Sequence, residues 1–106
     1  MEEPQEAERL VVYATEDDEV DGEALWSWVV RQAKETGVAG ATVWRGVAGL
    51  GRGGRTRSDR FPDAEAGLPI VVEVIDRPAA IRSLLDRLWT VSPGVLVTVE
   101  PVTWLA

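Results

Sequence analysis

Hydrophobic and polar positions divide this chain into four apolar runs that favour strands and two amphipathic stretches that favour helices. The first run, Arg9–Thr15, and the third, Leu68–Asp76, are rich in β-branched residues, which favour extended backbone. The second run is "GATVWRGVA", residues 40–48. The fourth is "VLVTVEPVTWL", residues 95–105, with an interruption expected at Pro101.

The two helices are predicted from apolar positions that recur every three or four residues, over residues 23–37 and 77–91. Asp21 is a candidate N-cap, Gly37 a C-terminal stop and Pro78 a first-turn residue. The first stripe consists of Leu25, Trp28, Val29, Gln32, Ala33 and Thr36, and the second of Ile81, Leu84, Leu85, Leu88 and Trp89.

The elements follow one another as β-α-β-β-α-β. Two βαβ halves with right-handed crossovers give a ferredoxin-like sandwich of the α+β class, with a four-stranded antiparallel sheet and both helices on one face. We expect residues 9–106 to form a single domain, because this length suffices for one core. Residues 1–8 are expected to be a flexible acidic tail.

Apolar residues occupy both faces of the predicted strands. A sheet covered by helices on one side alternates apolar and polar residues, yet Val71 and Ile75 oppose Ile70, Val72 and Val74. Large apolar side chains left in water would forfeit roughly 1.5–3 kcal/mol each. We therefore expect a second copy of the chain to pack on this face, sheet against sheet. The alternative is that the C-terminal "VTWLA" folds back over it.

Trp44 and Arg45 are adjacent in the second strand and so face opposite sides of the sheet. An arginine on the face turned to another subunit would need an acidic partner or a ligand. Glu73 and Glu100 are candidates because both lie in strands. The tryptophans are predicted in the core or an interface rather than as ligand platforms; they are Trp26, Trp28, Trp44, Trp89 and Trp104.

The composition excludes several kinds of chemistry. The chain has no cysteine and no histidine, which removes disulfides, thiolate metal sites and the Ser-His and Cys-His catalytic arrangements. We therefore predict neither an enzyme nor a metal site. No apolar run approaches the roughly 20 residues that cross a bilayer. The polar start "MEEPQEAER" does not resemble a signal peptide, so we expect a cytoplasmic protein.

Charge is unevenly distributed along the chain. The net charge is −7, and residues 1–23 hold ten acidic residues and one basic residue. Residues 45–60, in contrast, hold five arginines and one aspartate, a local charge of +4 and half of all the arginines. A basic segment in an acidic protein indicates contact with an anion or with an acidic surface.

Three glycines of this basic segment, Gly49, Gly51 and Gly54, satisfy the pattern G-x-G-x-x-G. The dinucleotide-binding fingerprint requires a helix directly after the glycines, whereas here "RTRSDRFPD" follows without helical periodicity. The P-loop pattern is absent as well, since no Gly-Lys-Ser/Thr occurs. The glycines therefore indicate neither of these nucleotide-binding motifs.

A family resemblance is carried by "GVAGATVWRGVAGLG", residues 37–51, and "LPIVVEVID", residues 68–76. These segments resemble the DUF190 proteins, a PII-like family, over about Leu10–Val102. More remotely, "TVWRGVAGLGRGGR" is similar to the segment of nitrogen-regulatory PII proteins that enters the T-loop. The resemblance implies a homotrimer with small-molecule sites between subunits and a loop that reports to a partner, often a membrane transporter. Gly53 replaces the glutamine that helps PII proteins arrange 2-oxoglutarate, so sensing of 2-oxoglutarate is not implied.

The resemblance and the residue types together define a candidate site. Glycine backbone approaches an anion closely, and arginine binds phosphate through two nitrogens. ATP, ADP and AMP are the candidate effectors, and no cofactor is required. The acidic "EDDEVD" loop is a candidate to contact a ribose, hold a cation or pair with arginines of a neighbouring subunit. The predicted ligand-binding residues are Arg45, Gly49, Gly51, Arg52, Gly53 and Gly54, and the predicted partner-binding residues are Arg55, Arg57 and Arg60.

Two alternatives remain open for the basic loop, residues 49–67. It would dock directly on an acidic partner without any small ligand, or its arginines would only keep a flexible connection soluble. Nucleic-acid binding is disfavoured, because the rest of the chain is acidic and no aromatic residues interleave with the arginines.

Overall fold

The computed structural model describes residues 3–37, 40–50, 56–58 and 67–105, and for residues 49, 50 and 56–58 it describes the backbone. Eight strands and two helices lie in these ranges. In chain order they are β1 (Gln5–Thr15), β2 (Glu19–Val20), β3 (Glu23–Ala24), α1 (Leu25–Thr36), β4 (Gly40–Arg45), β5 (Ala48–Leu50), β6 (Thr56–Ser58), β7 (Pro69–Asp76), α2 (Pro78–Val91) and β8 (Leu96–Trp104).

Four of the strands form the main sheet, in the order β4-β7-β1-β8. All neighbouring strands are antiparallel, with Val43 opposite Val72, Val72 opposite Val12, and Val12 opposite Val97. Both helices pack against the face that carries these valines. The predicted α+β ferredoxin-like sandwich is therefore confirmed.

The core lies between this face of the sheet and the two helices. Its residues alternate along the strands and recur every three or four positions along the helices. The completely or almost completely buried side chains are Leu10, Val12, Val72 and Val74 from the sheet and Leu25, Val29, Ile81, Leu84 and Leu88 from the helices. Helix packing thus accounts for only one of the two apolar sides of the strands.

The first strand begins earlier than predicted, at Gln5, which lies opposite Trp104. Residues 5–8, predicted as part of a flexible tail, therefore belong to the sheet. β8 runs through Pro101 without interruption because it lies at the edge of the sheet, where a missing N–H is tolerated. Residues 102–104 extend this strand and do not fold back over the second face.

The N-cap predicted at Asp21 is wrong. Asp21 and Gly22 instead form the two-residue turn of a hairpin between β2 and β3, with φ angles of 50° and 83°. An Asp-Gly pair favours such a turn because both positions need a positive φ. α1 begins at Leu25 without a side-chain cap, and the Leu25 N–H donates to the carbonyl oxygen of Asp18 at 2.7 Å.

Two other predicted helix boundaries are confirmed. Gly37 ends α1 in the left-handed conformation, with φ of 72°, and Pro78 begins α2. The predicted stripes are buried or partly buried except at Trp89, which is 44% exposed, and Trp28 is the one tryptophan of the core. No helix in the described part of the chain is long and apolar enough to span a bilayer.

The predicted loop over residues 49–67 contains strands. β5 and β6 form an antiparallel ribbon in which Gly49 lies opposite Arg57. β4 ends at Arg45, three residues before the predicted end of the second strand, and the chain becomes extended again in β5. The connection between β4 and β7 therefore begins with regular secondary structure, the strand β5.

Candidate functional site

The connection between β4 and β7 leaves the sheet at four residues that we call the loop root: Arg45, Gly46, Leu68 and Pro69. The Gly46 N–H donates to the Pro69 carbonyl oxygen at 2.7 Å. A Cβ atom on residue 46 would lie 3.2 Å from the Cβ of Pro69, so the two chain segments approach closely where glycine stands. The loop root is therefore a tightly fitted junction.

The turn after β1, Thr15–Asp18, is fastened to the loop root. The Thr15 N–H donates to Oδ2 of Asp18 at 2.8 Å, and the Asp18 N–H donates to the Thr15 carbonyl oxygen at 3.2 Å. Between them, the Glu16 N–H donates to the Leu68 carbonyl oxygen at 2.9 Å. Because Asp18 also accepts the first N–H of α1, the turn connects the loop root to the start of that helix.

The side chain of Arg45, a predicted ligand-binding residue, lies at the end of β4. Arg45 is opposite Ile70 in the sheet and so belongs to the helix-covered side. Its Nε donates to Oε1 of Glu16 at 2.7 Å. The Arg45 side chain is 64% exposed and that of Glu16 36%, so water and solutes reach the pair.

The other predicted site residues are described in part or lie outside the described residues. Gly49 in β5 and Arg57 in β6 face each other across the ribbon, and the structure describes the backbone of both. The predicted residues outside the described ranges are Gly51, Arg52, Gly53, Gly54, Arg55 and Arg60. Their assignment to a ligand and a partner stays a prediction.

No feature of the sequence marks Glu16 individually as a site residue. The sequence places Glu16 in an acidic loop with three candidate roles, one of them pairing with arginines of a neighbouring subunit, whereas the structure pairs it with Arg45 of the same chain. The two residues are 29 positions apart, and only the strand order brings them together. The opposite charges of the acidic loop and the basic segment are the signal that the sequence offers.

The second face of the sheet, which we call the open face, carries an apolar row across all four strands. Trp44, Val71, Tyr13 and Leu96 lie opposite one another in successive strands. Trp44 is 50% exposed, Tyr13 44% and Leu96 43%. The expectation of apolar residues on both faces of the sheet is thus confirmed.

A charged cluster lies on the same open face. Arg9 lies between two glutamates: its Nη1 is 3.6 Å from Glu73 and its Nε is 2.9 Å from Glu100. The Nε contact is short but lacks hydrogen-bonding geometry, so this buried donor has no acceptor among the described residues. The two glutamates predicted as partners of Arg45 therefore pair with Arg9, and Trp44 rather than Arg45 is on the open face.

Another ion pair joins β3 to α1 and involves no residue of the loop root. Nη2 of Arg31 donates to Oε1 of Glu23 at 2.9 Å, and Nη1 lies 3.4 Å from Glu35. The hydrogen bond from Arg31 lowers the pKa of Glu23, against a smaller opposing effect of desolvation. The same bond raises the pKa of Arg31. This pair is a natural comparison for Glu16 and Arg45.

Among the described residues, a pocket of about 500 Å³ opens at the opposite end of the sheet, where β1 begins and β8 ends. Its walls include Glu6 and Glu8 beside Pro78 and Pro101. Two carboxylates disfavour an anionic ligand, so this pocket does not suit the predicted effectors. In the parts of the chain that the structure describes, no group of three or more acidic residues is arranged to hold a metal ion.

Comparison with known proteins gives both a family and a fold. The DUF190 family model, "Uncharacterized ACR", matches residues 7–104. A UPF0166 protein from Aquifex aeolicus is 33% identical over 93 residues, which cover 88% of each chain. A UPF0166 protein from Methanocaldococcus jannaschii is 32% identical over 85 residues, 80% of this chain and 78% of that one.

The solved structures that resemble this chain include CPII, a nitrogen regulatory PII-like protein from Thiomonas intermedia, bound to ADP, AMP and bicarbonate. It superposes with a TM-score of 0.71 over 96% of this chain and 91% of that chain, at 13% sequence identity. At this identity the likeness establishes a common fold. Since the family model spans nearly the whole chain, the protein belongs to the DUF190 family and has the fold of PII-like proteins.

Proposed function

We propose that the protein is a PII-like regulatory protein that acts as a homotrimer. A small anionic ligand, an adenine nucleotide, binds in clefts between subunits beside the loop root. Residues 49–67 then report its presence to a partner protein such as a membrane transporter. The observation that carries this proposal is the exposed side chain of Arg45 at a tightly fitted loop root. CPII, which has the same fold, is bound to ADP and AMP in its solved structure.

Arg45 has the chemistry that a phosphate group needs. Its planar guanidinium donates two parallel hydrogen bonds to phosphate oxygens, and such charge-assisted bonds are stronger than neutral ones. The segment that begins at Arg45 has a local charge of +4 in an otherwise acidic chain. A ligand that engages Arg45 and this segment together favours one arrangement of the loop, and this difference in binding is what a sensor requires.

The open face supports an assembly of identical chains. Its apolar row presents three large exposed side chains, Tyr13, Trp44 and Leu96. Contiguous apolar patches of this kind are usually covered by another subunit. Because Arg45 directly follows Trp44 in the edge strand β4, an interface on the open face brings the loop root next to a neighbouring subunit.

Isothermal titration of the purified protein with ATP, ADP, AMP and cyclic nucleotides tests the proposal. We expect binding heat from at least one adenine nucleotide and a strong loss of affinity in Arg45→Gln. Arg82→Gln is the matched control, since Arg82 is an exposed arginine on α2. The absence of heat for every nucleotide in the wild-type protein would contradict an adenine-nucleotide sensor.

The uneven charge favours one second candidate, a protein-interaction module that needs no small ligand. In that case the basic segment, +4 over residues 45–60, docks on an acidic partner directly. A co-purification assay without nucleotide separates the two candidates. Loss of the partner on replacing Arg52, Arg55 and Arg57 by alanine would favour direct docking, whereas capture that requires added nucleotide would favour the sensor.

A further inference from the structure

The Glu16–Arg45 pair is positioned by the backbone on both sides. Glu16 is held by the hydrogen bond from its N–H to the Leu68 carbonyl oxygen, and it lies within the turn that Thr15 and Asp18 close. Arg45 is held in the sheet, opposite Ile70. The 2.7 Å contact between Nε and Oε1 therefore joins two fixed backbones rather than two freely moving segments.

The same pair is weak, because it is exposed to water. Ion pairs at solvent-exposed sites contribute little to stability, since water and salt screen them. The Arg45 side chain is 64% exposed, so exchanging its carboxylate partner for another anion removes little favourable energy. A phosphate group offers Arg45 more charge and two acceptor oxygens in the matching geometry.

The acidic residues around Glu16 oppose such an exchange. Asp17, Asp18 and Glu19 follow Glu16 directly and are all exposed. Because these residues neighbour Glu16 in the chain, their negative charge disfavours an anion at Arg45. Removing a negative charge from this acidic turn should raise the affinity of the site for anions. Removal of the Glu16 charge should have the largest effect, because Glu16 contacts the Arg45 guanidinium itself.

We infer that Glu16 is the internal counterion of the ligand site: an incoming phosphate displaces its carboxylate from Arg45, so Glu16 sets how strongly an anion must bind to occupy the loop root. The inference rests on the proposed function, in which Arg45 binds the effector. It adds to the site a residue outside the basic segment, residues 45–60. It also connects ligand binding to the turn Thr15–Asp18 and, through Asp18, to the first N–H of α1.

Titration calorimetry with two probes, ADP and inorganic pyrophosphate, tests the inference on the full chain at one ionic strength. The variants are Glu16→Gln, Arg45→Gln and the double variant. Glu23→Gln is the matched control, since it removes the same charge from the pair with Arg31. We expect Glu16→Gln to bind about two- to five-fold more tightly than wild type, the range of an exposed ion pair.

We expect Arg45→Gln to bind roughly ten-fold or more weakly, because it loses a charge-assisted phosphate contact. The double variant should match Arg45→Gln, and Glu23→Gln should match wild type. Equal affinities of Glu16→Gln and wild type would overturn the inference. So would a gain in affinity that Glu16→Gln retains when Arg45 is absent, since the effect would then be one of net charge.

The two proposals fail in different ways. If wild type binds ADP, Arg45→Gln weakens the binding and Glu16→Gln leaves it unchanged, the counterion role is wrong and the sensor proposal stands. If ADP binds no variant but pyrophosphate binds Glu16→Gln more tightly than wild type, the counterion role stands and the adenine-nucleotide effector is wrong. If neither probe binds any form, both are wrong.

Discussion

The same four strands form both faces of the main sheet, but the helices cover only one of them. On one face, Leu10, Val12 and Val72 are completely buried beneath the two helices. On the other, Trp44 remains 50% exposed at the end of a row of apolar side chains. The fold of a single chain therefore leaves large apolar side chains of the open face uncovered, namely Tyr13, Trp44 and Leu96. These exposed side chains point to a second copy of the chain, which is the basis of the proposed assembly.

The largest expected effect comes from the helix-covered face. Leu84 is completely buried, so Leu84→Ala removes packed methyl groups and leaves a cavity, which lowers the free energy of unfolding by about 2–5 kcal/mol. Urea denaturation at one protein concentration measures the loss. The control is Arg82→Ala on the exposed side of α2, with an expected change within about 0.5 kcal/mol. Similar losses in the two variants would contradict this account of the core.

The open face is tested by Trp44→Glu, which places a charge on the apolar row of the proposed subunit contact. We expect association to weaken by about 2 kcal/mol or more, roughly thirty-fold, because buried tryptophans dominate such contacts. Sedimentation velocity over a range of protein concentrations measures the change. Trp89→Glu is the control: Trp89 is similarly exposed, at 44%, but lies on α2. An unchanged mass for Trp44→Glu would remove the open face as the interface.

A smaller effect is expected at the charged cluster beside the apolar row. Arg9→Met leaves Glu73 and Glu100 without their shared cation, and Glu73 is only 21% exposed. We expect unfolding stability to fall by about 1 kcal/mol, since an unpaired and partly buried carboxylate is unfavourable. Adding Glu73→Gln to Arg9→Met should recover part of the loss. Absence of recovery would show that Arg9 acts through packing rather than through charge.

The smallest effect concerns Glu23, whose pKa is lowered by its hydrogen bond to Arg31. A lowered pKa in the folded state stabilises the protein above the pKa of an unfolded glutamate, and the contribution is lost as the pH falls through the folded-state value. Glu23→Gln should therefore melt slightly below wild type at neutral pH, and the two melting temperatures should converge in acid. Thermal melts over the acidic range measure this, and a constant difference would contradict the assigned cause.

The sequence predicted the sheet, the helices and the two-sided strands because these depend on periodicity, which is local. The helix boundaries at Gly37 and Pro78 are also predictable, because each depends on the backbone preference of a single residue. The prediction of an N-cap at Asp21 is wrong because the position of Asp21 before the helix resembles a cap, whereas Asp21 and Gly22 form a hairpin turn. That Asp-Gly signal was present in the sequence and is the more specific of the two.

The site was less predictable than the fold. The charge of Arg45 and its place beside the glycines mark it in the sequence, but its partner Glu16 comes from a turn 29 residues earlier. The sequence does not mark Arg9 as the cation between Glu73 and Glu100, because their contact depends on the register of three strands. Pairings of this kind depend on topology, and periodicity along one segment does not encode them.

Native mass spectrometry of the wild-type protein with ADP tests the proposed trimer and its ligand site together, since it reports subunit number and bound ligand in one spectrum. We expect a species with three times the mass of one chain that carries up to one ADP per subunit. In Arg45→Gln we expect loss of the ADP while the three-chain species stays intact. A single chain without nucleotide would contradict both the assembly on the open face and the ligand site at the loop root.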